Sequence, residues 1–159
     1  MGSAATAWID AEEATWQHLV KITGSKAGKS AFLGDQLRDD TVNVWTYQLS
    51  GGDTQAQNFQ MTGIPPCQYI ATSALLGQWI DRKAAMKFAG KVMNDMPAYK
   101  NPSNTNNRGL PPNVNLFEMT EFPIIESRIV SIDETGRTRE YTYYMLRMDF
   151  RVEFGIEQN

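Results

Sequence analysis

A chain of 159 residues with 42% hydrophobic and 21% charged side chains carries enough apolar material to close one core and too much to stay disordered. Its formal charge of −3 leaves no net basic footprint for a phosphate-tracking nucleic-acid binder, so any such contact would have to be local. The lone cysteine, Cys67, excludes an internal disulfide and fits a reducing compartment, and no apolar run approaches the roughly 18 to 20 residues that span a bilayer.

The first predicted element is a helix over about 7–23. Asp10 and Glu13 have the spacing of a capping box, Ile9, Trp16, Leu19, Val20 and Thr23 share a face, and Gly24 stands where a C-terminal cap belongs. Residues 24–40 read as a long polar connection. Its Gly24-Ser25-Lys26-Ala27-Gly28-Lys29-Ser30 ends like a phosphate-binding loop, but only three residues separate the glycines where the motif needs four, and the stretch follows a helix where the motif needs a strand. A strand follows at Val42 to Leu49, apolar in part on both faces, ended by Ser50-Gly51-Gly52-Asp53. Phe59–Thr62 and Gln68–Thr72 are weaker strands separated by Gly63-Ile64-Pro65-Pro66.

Asp81 to Met96 is the best helix, with Ala84, Ala85, Phe88, Ala89, Val92, Met93 and Met96 at three- and four-residue spacing and Pro97 ending it. Residues 98–115, rich in Asn and Pro, show no periodicity and form a second long loop. The last third holds the strongest signal. From Tyr144 to Ile156 every second residue is apolar, while Arg147, Asp149, Arg151 and Glu153 fill the gaps, the period of a strand with one dry face. Ile124, Ile125, Ile129, Val130 and Ile132 supply its partner, and Asp133-Glu134-Thr135-Gly136 supplies the turn, with Gly136 free to take positive φ. The expectation is a single α+β domain over 1–159: an antiparallel or mixed sheet built around a long C-terminal hairpin, with helices packed on one face.

No catalytic, metal or cofactor constellation emerges. His18 is the only histidine, and with Cys67 it would still lack further ligands or an orienting third group. Glu12-Glu13 and Asp39-Asp40 are neighbours in sequence, which point apart on a helix and fit solvation and capping better than acid/base work. Lys83, Lys87 and Lys91 form a basic stripe opposite Phe88 and Val92, a solvated face by default but suited to phosphate or an acidic surface. Arg128, Arg137, Arg139, Arg147 and Arg151 mark the hairpin, interspersed with acids, and with Arg108 of the Asn/Pro-rich loop they are the candidate interface residues. A hairpin that outruns its domain leaves an apolar strip and a strand edge for a neighbouring subunit to cover.

This order of elements, with an N-terminal helix, strands, an Ala-rich helix at Arg82 to Met96, a loop, and a hairpin closing on the alternating Leu146 to Phe154, resembles the tail terminator (tail completion) proteins of long-tailed bacteriophages. The resemblance implies a structural virion protein without enzymatic activity or cofactor. It would be assembled in the host cytoplasm into a homo-oligomeric ring of six that caps the tail tube, stops its growth and meets the head-tail connector proteins. Its partners would be itself, the tail tube protein and the connector, with neither a membrane nor direct DNA contact expected. Another neck or head-completion protein is the first rival reading, and a nucleic-acid-binding module using the lysine stripe is the second.

Overall fold

The computed structural model describes residues 4–38, 40–56, 68–96, 110–111 and 113–155. Two helices, α1 (Ala4–Thr23) and α2 (Arg82–Asp95), accompany six strands: β1 (Ala31–Leu33), β2 (Val44–Ala56), β3 (Gln68–Trp79), β4 (Val114–Met119), β5 (Ile124–Glu134) and β6 (Arg137–Gly155). The strands make one mixed sheet in the order β1-β2-β3-β6-β4, with β5 also on β6. Only β1 runs parallel to its neighbour. The fold is α+β, as its patterning implies.

β6 is the axis of the sheet. Its residues 144–155 pair with β3 on one edge, while on the other edge β4 takes 150–154 and β5 takes 137–147. Leu146, Met148, Phe150, Val152 and Phe154 are all buried, so the even-numbered face is the dry one that the alternation predicts. They meet Trp45, Tyr47 and Leu49 of β2, Ala71, Leu75 and Trp79 of β3, and Val114 and Phe117 of β4, beneath the two helices. Phe117 stacks on Phe150 with ring centroids 4.2 Å apart, and Tyr69 on Phe154 at 5.5 Å.

The hairpin closes through Thr135 and Gly136, with φ of 40° and 78°, the signs of a type I′ turn whose twist matches that of the strands. Gly136 bears this without strain; a β-branched threonine at positive φ does not. Thr135→Asn is therefore expected to slow hydrogen exchange at the ribbon amides by about fivefold, equivalent to about 1 kcal/mol of local stability.

α1 starts at Ala4, three residues before the predicted boundary, so Asp10 lies inside the helix and caps nothing. The buried line is Ala7, Ala11, Thr15 and Leu19, at a spacing of four. Small residues let the helix approach the sheet closely, and Ile9 is turned outward, 61% exposed. Trp16 and Val20 pack against the core as expected. At the far end Gly24 takes φ 67°. The Gly24 amide donates to Lys21 O and the Ser25 amide to Val20 O, the paired bonds of a glycine-terminated helix. α2 is capped by Asp81, whose Oδ1 accepts from the Lys83 amide at 3.2 Å, and it buries Ala85, Ala89 and Val92.

Three predicted boundaries need correction. The 24–40 connection contains β1, which adds to β2 because Ala31 is buried against the core. β2 does not stop at Gly51-Gly52 but runs to Ala56, with a register shift between Ser50 and Gln55 that absorbs the glycines. β3 continues seven residues past Thr72 to Trp79, since Ser73, Ala74 and Gly77 blur the alternation of a strand lying between β2 and β6. A side chain at Gly77 would overlap the Trp79 ring. Phe59–Thr62 and most of the 98–115 loop lie outside the described residues, though Val114 and Asn115 belong to β4.

Candidate interaction surface

On the β1–β2 side the β2 edge is closed from within. The indole of Trp8 on α1 donates to Leu49 O at 2.7 Å, and the Glu12 carboxylate accepts from the Leu49 amide at 2.9 Å. Side chains of a helix thus take the place of a further strand where β1 ends. On the sheet face away from the helices, the buried Gln78 amide donates to Arg38 O and Thr41 O, pinning the second half of the 24–40 segment across Val44 and Thr46, which are buried there.

The β5–β6 side is left open. β3 ends at Trp79, opposite Tyr144, so the pairs from Arg128↔Tyr143 to Glu134↔Arg137 form a two-stranded ribbon with no third strand among the described residues. At about 3.3 Å per residue, the 19 residues of β6 reach about 60 Å, whereas a compact domain of this size has a radius of gyration of about 15 Å. Val130 and Tyr143 are buried at the base of the ribbon, and beyond them, from Ser131 to Glu140, it is exposed at all but Ile132 and projects. Ile129 on it is 68% exposed, and Phe122, at the break between β4 and β5, is 77% exposed. Phe122 was not singled out from the sequence; its place before Pro123, between two strands, is the available signal.

Strand parity sorts the predicted residues. Arg128, Arg137, Arg139, Arg147 and Arg151 all share the sheet face away from the helices, as cross-strand partners of even β5 or odd β6 positions. Three of them meet acids of their own chain: Arg139 with Glu134 at 3.8 Å, Arg147 with Asp149 at 3.0 Å and Arg151 with Glu153 at 3.3 Å. The hydrogen bond and charge of Asp149 hold the Arg147 guanidinium more firmly protonated. Tyr141 adds a hydrogen bond to Glu134 at 2.9 Å and stacks on Tyr143 at 6.2 Å. Arg108 lies outside the described residues. Lys83, Lys87 and Lys91 are exposed on α2, about one helical turn apart, with no ion pair among the described residues.

Among the described residues the groups capable of chemistry are dispersed. Tyr47 is sealed in the core, where burial pushes its phenol well above the usual range. Thr15 beside it donates to Ala11 O. Cys67 and Asp39 lie outside the described residues, and Glu12 is engaged with β2. Among the described residues no group of three His, Cys, Asp or Glu could hold a metal ion, and no helix is long and apolar enough to cross a membrane.

His18 is half-buried, and its Nε2 finds no hydrogen-bond partner among the described residues. Burial first, and the charge of Lys21 second, lower its pKa from 6.5. A folded pKa below the unfolded one means that protons bind the unfolded chain better. The contribution is thus intact above about pH 6.5 and is lost as the pH falls through the lowered value. His18→Gln is expected to flatten the decline of urea midpoints measured between about pH 7 and 5 relative to the unsubstituted chain.

No protein-family model and no curated protein matches this chain.

Proposed function

We propose that this protein is a structural virion component of a long-tailed bacteriophage, a tail terminator that closes into a homo-oligomeric ring of six, caps the tail tube and joins it to the head connector. The observation that carries the reading is the projecting β5–β6 ribbon, whose outer pairs have no third strand among the described residues, with Ile129 exposed on it. One subunit leaves these groups open, and a neighbouring copy is the economical way to cover them. The likeness of element order described above supplies the family. On this reading the protein works by shape and stacking, without bond-making chemistry.

Light scattering on a size-exclusion column, with negative-stain images of the peak, tests the ring. Rings with a central lumen that halt polymerisation of the tail tube protein are the expected result. A monomer at all concentrations, with and without tube protein, overturns the reading, and rings that bind a portal or adaptor but ignore tube ends move it to another neck protein.

A further inference from the structure

We propose that copies of this chain join head to tail, the helix-side face of one copy's β5–β6 ribbon seating on the outward face of α2 of the next; this rests on the ring reading above. Cross-strand partners share a face, so Ser127, Ile129, Ser131 and Asp133 of β5 lie with Thr142, Glu140 and Thr138 of β6 on the side toward the helices. That face bears two exposed carboxylates, Asp133 and Glu140, and no basic residue. Thr138 Oγ1 donates to Asp133 at 2.7 Å, which orients the carboxylate without neutralising it. The other ribbon face, by contrast, is basic, with Arg128, Arg137 and Arg139 against the single acid Glu134, which meets Arg139.

α2 carries the complement. Between Arg82 and Asn94 it has four cations and no acid, and Lys83, Lys87 and Lys91 form a row with a rise of about 6 Å from one to the next. Asp133 and Glu140 sit diagonally across the ribbon, about 7 to 8 Å apart, within reach of two successive lysines. Beside the row, Met86 and Met93 are 47% and 41% exposed, with Gly90 between them. A glycine in mid-helix costs about 1 kcal/mol relative to alanine, and a Cβ at Gly90 would meet nothing within 4 Å. Nothing among the described residues calls for this glycine. It leaves a notch between two flexible methionines that suits Ile129, the exposed apolar side chain of the ribbon face. Both surfaces belong to one chain and differ from each other, so the contact is heterologous and closes into a ring or runs on as a filament.

Charge reversal with rescue tests the pairing. Lys83→Glu/Lys87→Glu/Lys91→Glu and, separately, Asp133→Lys/Glu140→Lys are expected to raise the concentration for half-assembly at least about tenfold by light scattering, since like charges then face each other. The chain carrying both sets assembles again. Gly90→Trp, in which the helix itself is no worse off than with glycine, is expected to remain monomeric with an unchanged urea midpoint. Rings formed by the unsubstituted chain and equally by either reversed variant, or by Gly90→Trp, overturn the docking while leaving the ring reading standing. Failure of the combined variant to assemble also overturns the pairing. A monomeric unsubstituted chain removes the ring and this contact together.

Discussion

Trp45→Ala is expected to cost about 4 kcal/mol of folding stability, a large share of the 5 to 15 kcal/mol typical of a natural domain. Trp45 is 1% exposed on β2 and opposite Gly77 of β3. Its ring lies 5.6 Å from that of Phe88 on α2, which in turn sits 4.8 Å from Trp79. Its indole donates to Ser25 Oγ at 2.8 Å, immediately after the glycine that ends α1. One side chain thus joins the end of α1, strands β2 and β3, and α2, and its removal opens a cavity lined by groups that cannot all collapse inward. Trp45→Phe keeps most of the ring contacts and forfeits the hydrogen bond, so about 1 to 2 kcal/mol is expected. Urea unfolding with an unchanged slope checks both values. A loss under about 1 kcal/mol for the alanine variant would mean that the helices do not close over β2 as described.

The strand that carries the core was legible because its two faces differ: Leu146 to Phe154 alternate with Arg147 to Glu153, and burial follows that parity residue by residue. α2 was legible for the same reason, with Asp81 and Pro97 bounding it. β3 was only half legible. Ser73 and Gly77 stand among its inward positions, while the outward ones include Leu76, 39% exposed, and the buried Gln78, so hydrophobicity does not alternate even though burial largely does. α1 misled in a different way, because its contact line is made of Ala7, Ala11 and Thr15, residues that a hydrophobicity pattern scarcely weighs. Glu12 reads as a solvated residue, whereas together with Trp8 it closes a strand edge. Their role depends on where β1 ends, a tertiary fact.

For the candidate surface, the odd parity of Arg137, Arg139, Arg147 and Arg151 puts those four on one side, and Arg128 joins them through its register with Tyr143. What the sequence does not state is which part of the hairpin leaves the globule. That is fixed by the point at which β3 stops: Asp81 caps α2 two residues after Trp79, so β6 residues before Tyr144 lose their second neighbour. The overlong strand is visible in the chain, but its free segment is defined by a helix start elsewhere.

That free segment gives the second large effect. Excision of residues 129–134 and 137–142, leaving Thr135-Gly136 to join Arg128 to Tyr143, is expected to give a folded chain that no longer assembles at any accessible concentration. Register survives because Arg128↔Tyr143 and Glu134↔Arg137 are separated by an even number of pairs, and antiparallel pairs alternate between two hydrogen-bonding types. Of the residues removed, Val130 is buried, while Ile129, Asp133 and Glu140 are exposed. The loss of monomer stability should therefore stay near 2 kcal/mol, the worth of one fully buried valine, and the sheet from β1 to β4 keeps its pairing. The two consequences are read separately, folding by urea midpoint and assembly by light scattering. Rings formed by the shortened chain would place the subunit contact elsewhere than on the ribbon and remove the observation on which the ring reading stands. A folded monomer that also fails to halt tube growth would tie the ribbon to assembly and assembly to capping, since the excision touches nothing else that the body of the domain presents.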